Sequence, residues 1–149
     1  MNLDNVHIAV IGQGYVGLPL AIAFGKKYPT IGFDINLSRI DDLKNGIDYT
    51  NEASPQLLTS ASKLTFSSNI NDIKECNIYI VTVPTPIDEF KTPDLTLLKG
   101  ASKMLGEILK KGNTVILDID GDIEKDIIEA YVTSENPSLA KTESVTEFD

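Results

Sequence analysis

Residues 7–21 read HIAVIGQGYVGLPLA. An apolar run, His7–Ile11, is followed at once by G-x-G-x-x-G and then by a segment of helical character, LPLAIAFGKK. Glycine-rich strings are common, but between a strand and a helix this one has a mechanism. Gly12 permits the tight turn, Gly14 has no Cβ and so lets a pyrophosphate approach the backbone, and Gly17 lets the helix pack on the strand. The helix N-terminus offers unpaired N–H groups and the positive end of its dipole to phosphate oxygens. Without a ligand the string is simply a tight strand-to-helix turn. Pro19, placed just past the first turn, is expected to cost one backbone hydrogen bond and to bend the helix entry.

Asp34 lies twenty residues beyond Gly14, at the end of a second apolar strand, Thr30–Phe33. A carboxylate there can accept from adenosine ribose hydroxyls and repels a 2′-phosphate, so the sequence favours NAD over NADP. The other role open to Asp34 is a cap for the helix that follows. Arg39 complicates this, because a nearby arginine can hold a 2′-phosphate; standing five residues on, it is expected instead to lie over the adenine or to brace Asp34. That helix starts near Asn36, sets Ile40, Leu43 and Ile47 on one face, and closes at Gly46, where a glycine can take φ > 0.

The remaining segments repeat the alternation. Lys63–Phe66 is a weak third strand, Ile78–Val83 a strongly apolar fourth, and Thr114–Leu117 a fifth. Pro84 and Pro86 stop the fourth strand because neither can donate to a ladder. Between strands four and five, Thr92 is expected to cap a helix with Pro93 in its first turn, a stripe of Leu95, Leu98, Met104, Leu105 and Ile108, and Gly112 at its close. Strands that are nearly all apolar imply helices on both faces of a parallel sheet. The expected fold is therefore α/β, a doubly wound parallel sheet. Ligands of such sheets sit at the carboxyl ends of the strands, which places Val83, Pro84 and Thr85 beside the cofactor. The Thr85 hydroxyl could serve the nicotinamide-side ribose or phosphate, although the Pro-Thr-Pro turn could equally be structural.

Composition narrows the class further. Of 149 residues, 42% are hydrophobic and the single cysteine, Cys76, excludes an intramolecular disulfide, which fits a soluble protein of the cytoplasm. The net charge of −9 disfavours nucleic acid and anionic membrane, and no apolar run is long enough for a membrane span. The charge is unevenly placed. Residues 1–116 carry 12 acids and 11 bases, whereas residues 117–149 carry 10 acids and 2 bases. We expect a nucleotide-binding domain over 1–117 and a divergent acidic tail over 118–149, with one helix at Ile123–Tyr131 and a disordered end.

The stretches IGQGYVGLPLA, GFDINLSRIDDLKNGIDYTNE, YIVTVPTPID and TPDLTLL together resemble the UDP-glucose/GDP-mannose dehydrogenase family over residues 7 to about 116. The resemblance is strongest to the branch that oxidises UDP-N-acetylhexosamines for bacterial surface polysaccharides, the Vi-polysaccharide type. It implies a Rossmann fold and NAD contacts from Tyr15, Val16, Asp34, Arg39 and Thr85. It also implies an oxidation of the sugar C6 alcohol to a carboxylate by NAD⁺, through a thiohemiacetal and thioester on a cysteine of a second domain. No such cysteine is present in this chain, because Cys76 in KECNIYIV reads as a small core residue. The expectation is an NAD-binding half with no catalytic residue of its own, inactive alone, with the nucleotide sugar a partner only of the longer enzyme. The other reading is a non-catalytic fragment that binds NAD or a partner.

The family pattern also departs at the fifth strand, where NTVILDIDGDIEKD replaces the expected Glu-Ser-Thr-Val run. A shortened gene, a shifted reading frame or an engineered boundary would each produce it. Asp118-Ile119-Asp120-Gly121 resembles the strand-end motif of haloacid-dehalogenase-type phosphatases, but only 28 residues follow, too few for the rest of that fold. Asp118, Asp120, Asp122 and Glu129 also echo a calcium loop, yet Ile123 stands where the glycine is required. No metal site is expected.

Overall fold

The computed structural model describes residues 3–117. The five apolar runs form strands β1 (Ile8–Ile11), β2 (Thr30–Phe33), β3 (Leu64–Ser67), β4 (Ile78–Val81) and β5 (Thr114–Leu117). All pairings are parallel, in the order β3-β2-β1-β4-β5. Parallel neighbours require crossovers. These carry α1 (Gly17–Gly25), α2 (Leu37–Lys44), α3 (Pro55–Ser60), α4 (Ile70–Ile73) and α5 (Thr96–Ile108). The doubly wound parallel sheet expected from the sequence is the fold observed, and its strand order reverses beside β1, where such sheets bind ligands.

Strand alternation divides the core. Ile8 and Val10 of β1 pack with Ala21 of α1, whereas Ala9 and Ile11 pack with Leu98 and Leu105 of α5. A third cluster joins Leu18 and Ile22 of α1 to Leu43 of α2. Tyr79, fully buried in β4, satisfies its hydroxyl by donating to the Ile73 carbonyl at 2.7 Å. Among the described residues, no helix is long and apolar enough to cross a membrane.

Helix α2 (last residue Lys44) closes at Gly46 as expected, with φ 76°, but several other local expectations are corrected. The Gly46 N–H then donates to Leu43 O and the Ile47 N–H to Asp42 O, a Schellman closure. Ile47 consequently leaves the helical face and is 55% exposed, while Ile40 and Leu43 are buried. Thr92 does not cap α5, which begins three residues after Pro93. Asp88 explains why: its Oδ1 accepts the N–H of Phe90 and of Thr92, closing a hairpin in which Ile87 bridges Pro93. Asp94 then accepts from Thr96 as α5 starts. Gly112 closes a Lys110–Asn113 turn rather than the helix, which has already ended at Ile108. Strand β4 stops at Val81, two residues short of the expected end. Expectations for residues 118–149, including the Ile123–Tyr131 helix and the acidic cluster, lie outside the described residues.

Candidate functional site

The glycine loop joins β1 to α1 at the carboxyl edge of the sheet. Gly12 has φ 95°, and a Cβ there would lie 3.2 Å from the backbone of Thr82 and Val83. Its N–H donates to Phe33 O at 2.8 Å, and its carbonyl accepts the Thr82 hydroxyl at 2.9 Å. The loop is thus sewn to β2 on one side and to the end of β4 on the other. Gly17 is needed for contact: a Cβ would fall 1.7 Å from Gly12 O. Gly14 is the reverse case, exposed and with nothing within 4 Å of a Cβ. No side chain caps α1 at Val16, so its leading N–H groups are left for a ligand's oxygens. Open space over Gly14, flanked by the exposed Tyr15 and Val16, fits a pyrophosphate. Pro19, the third residue of α1, supplies no N–H to the Tyr15 carbonyl, and the ladder runs on through Leu18 to Gly14 and Leu20 to Val16.

Asp34 follows β2 directly. Its Oδ2 accepts the Gln13 N–H and its Oδ1 the Asn36 N–H, each at 2.9 Å. An ionised carboxylate has about four acceptor positions, so capacity remains for ribose hydroxyls. Asp34 is not the cap of α2; Asn36 is, accepting from the Arg39 N–H.

Arg39 departs from expectation. It does not brace Asp34: its Nε donates to Gln13 O and its Nη1 to Asp48 Oδ1, both at 2.8 Å. The side chain is 2% exposed, and its guanidinium lies 4.4 Å from the centre of the Tyr49 ring, which covers it. The Asp48 side chain is enclosed and also accepts the Thr50 hydroxyl at 2.6 Å and the backbone N–H groups of Thr50, Glu52 and Ala53. Burial pushes the Asp48 pKa up. Hydrogen bonds from the Thr50 hydroxyl, the Arg39 guanidinium and the Ala53 and Thr50 N–H groups outweigh it and bring it down to about 2. Helical periodicity does not single Arg39 out, because its acceptor arrives from beyond the helix. The Asp-x-Thr spacing of Asp48 and Thr50 was the available turn signal.

Gln13 and Thr82 also escaped the sequence reading. Gln13 is fully buried although it fills a variable position of the motif. Its Nε2 donates to Val10 O and Gly12 O, and its amide crosses Gly32 of β2, where a Cβ would meet Gln13 Oε1 at 2.7 Å. Thr82 pins Ile11 O and Gly12 O with one hydroxyl. Beyond it, Val83 and Thr85 are half-buried and Pro84 exposed, at the same carboxyl edge as the loop. Cys76 is a core residue, 6% exposed. Burial, helped by the charge of Glu75, pushes its thiol up to about 11, so it carries almost no thiolate near neutral pH.

Residues 6–131 match the family model described as the UDP-glucose/GDP-mannose dehydrogenase family, NAD binding domain. The chain belongs to that family. Its cofactor is NAD, and the part of the family enzyme it carries is the N-terminal NAD-binding domain. Relatives agree. Over 116 residues it is 53% identical to the UDP-N-acetyl-D-glucosamine 6-dehydrogenase of Pseudomonas aeruginosa and 52% identical to that of Salmonella typhi. These alignments cover 78% of this chain but only 28% and 27% of the two relatives. The solved UDP-D-ManNAc dehydrogenase of Pyrococcus horikoshii superposes with a TM-score of 0.80 at 28% identity, covering 89% of this chain and 33% of that one. The chain therefore spans little more than a quarter of the length of the curated relatives it matches.

Proposed function

We propose that this chain is the cofactor-holding part of a UDP-N-acetylhexosamine 6-dehydrogenase. In this reading Gly14, Tyr15 and Val16 present N–H groups to the pyrophosphate over the glycine loop. Gly12 and Gly17 hold the loop's shape. Asp34 takes the adenosine ribose with its unused acceptor positions. Val83, Pro84 and Thr85 flank the nicotinamide side, and Arg39 acts from beneath the loop. Bound NAD⁺ supplies a hydride acceptor for oxidation of a sugar alcohol. The observation that carries the reading is the glycine loop itself: tied to β2 and β4, open above Gly14, and bordered by a carboxylate with spare acceptors. The choice of sugar is supported by the two N-acetyl-D-glucosamine dehydrogenases that resemble the chain at over half of the aligned positions.

Cys76, the one cysteine among the described residues, does not have the environment of a reactive nucleophile, since it is buried and its thiol is held protonated. The chain alone thus binds cofactor without turnover, and the nucleotide sugar is a ligand of the longer enzyme. The free thiol and the lack of a spanning helix among the described residues favour a cytoplasmic setting. Calorimetric titration with NAD⁺, followed by an NADH assay with UDP-N-acetylglucosamine, tests both halves. Binding without NADH release is expected. Absence of NAD⁺ binding, or steady NADH production by the pure chain, would overturn the reading.

A further inference from the structure

The Gln13–Gly14 peptide sits at the centre of the phosphate loop, yet what fixes it lies outside the loop. Its carbonyl accepts from Arg39 Nε at 2.8 Å, below the surface. The described peptides are all trans, and in a trans peptide the carbonyl and the following N–H point in opposite directions. Drawing the Gln13 carbonyl inward therefore turns the Gly14 N–H outward, at the residue whose surroundings are open. On the preceding peptide, Asp34 holds the Gln13 N–H while Gly12 O turns to Thr82.

Arg39 in turn is not self-supporting. Its Nη2 is buried with no hydrogen-bond partner, so Gln13 O and Asp48 are the acceptors that hold the guanidinium. Asp48 is itself anchored by the Thr50 hydroxyl and by the N–H groups of Thr50, Glu52 and Ala53. A turn after α2 thus reaches through two side chains to one peptide of the loop.

We propose that Asp48 is a positioning residue for the cofactor pyrophosphate, holding Arg39 so that Arg39 Nε keeps the Gln13–Gly14 peptide with its N–H toward the phosphate. This rests on the NAD-binding reading above and narrows it to one loop N–H and two side chains behind it. Tyr49, stacked over the guanidinium, keeps water from competing for its donors. Adenosine, which lacks phosphate, does not use this peptide and is indifferent to its orientation.

The test is calorimetric titration of the 149-residue chain with NAD⁺ and, separately, with adenosine. Asp48→Asn keeps the shape and removes the charge. It should raise the NAD⁺ Kd by about tenfold or more, the scale of one charge-assisted hydrogen bond, while adenosine changes by less than about twofold. Arg39→Lys should reproduce that split, because one ammonium cannot replace a planar fork with two fixed acceptors. In the native chain, the Gly14 amide resonance should shift on adding inorganic pyrophosphate, and the shift should shrink in Asp48→Asn. Equal losses for NAD⁺ and adenosine, or unchanged NAD⁺ affinity in Asp48→Asn, would overturn the inference alone. Failure of the native chain to bind NAD⁺ would overturn the reading beneath it as well. If Asp48→Asn does not fold, a Gly14 amide indifferent to pyrophosphate in the native chain overturns the inference.

Discussion

Two alanines placed three residues apart should have opposite effects. In Gly17→Ala the new Cβ would stand 1.7 Å from Gly12 O and 2.5 Å from the Thr82 hydroxyl oxygen. A carbon–oxygen contact needs about 3.3 Å, so the Gly12 carbonyl must retreat by roughly 1.5 Å. It is not free to do so, since it accepts from Thr82 and from Gln13 Nε2. Overpacking of this kind costs about 1–3 kcal/mol, and each disturbed hydrogen bond adds about 1 kcal/mol. Alanine's better helix propensity returns about 1 kcal/mol. The expected net loss is roughly 2–4 kcal/mol. Gly14→Ala meets nothing within 4 Å, and Gly14 is outside the positive-φ region, so stability should hold or rise by about 0.4–1 kcal/mol. Its methyl would instead fill the space assigned to the pyrophosphate, raising the NAD⁺ Kd by about tenfold or more. Urea denaturation and calorimetry measure the two effects on the same samples. Gly17→Ala with native stability, or Gly14→Ala with native affinity, would refute the assignment of a packing role to one glycine and a ligand role to the other.

Other consequences can be checked in the same way. The Asp48 pKa lies below its ordinary value in the folded chain, so its contribution is complete only well above 3.8, from about pH 5 upward, and is lost as pH falls through 3.8 and on through about 2; from that shift it amounts to about 2 kcal/mol, and Asp48→Asn should flatten this part of the acid denaturation curve. Asp34→Ala should weaken NAD⁺ binding more than NADP⁺ binding; equal affinity of the native chain for both cofactors would contradict the role given to its carboxylate. Cys76 should resist a thiol reagent at pH 8 in the native chain and react at once in urea, and rapid native labelling would contradict its burial.

How much of this was legible beforehand depended on the range of the forces involved. The strands were readable because β1, β2 and β4 are short apolar runs whose burial is nearly complete on both faces. The glycine loop was readable because steric exclusion acts on single residues, as at Gly12 and Gly17. Helices α3 and α4, of six and four residues, were not anticipated, since neither is long enough to display a period. The start of α5 was misplaced because Asp88 and Thr92, four apart, prefer each other to the helix. The burial of Arg39 was not legible from its own helix. A cation near a helix start is ordinarily solvated, and it takes the folded turn carrying Asp48, with the Gln13 carbonyl, to make its burial tolerable.

Gln13 and Gly32 have a consequence for anyone redesigning the cofactor loop. The glutamine amide oxygen lies 2.7 Å from the point where a Gly32 side chain would begin, and Phe66 Cδ1 lies at the same distance from it. The variable letter of the glycine motif and the middle of the neighbouring strand therefore share one volume. Randomising Gln13 toward larger residues should yield almost nothing, since Gly32, already without a side chain, has no space left to give. Alanine at 32 meets both neighbours, so a small residue at 13 should recover folded clones only together with a residue smaller than phenylalanine at 66. A library that varies the three positions together samples loop chemistries that a scan of any one alone would discard as misfolded.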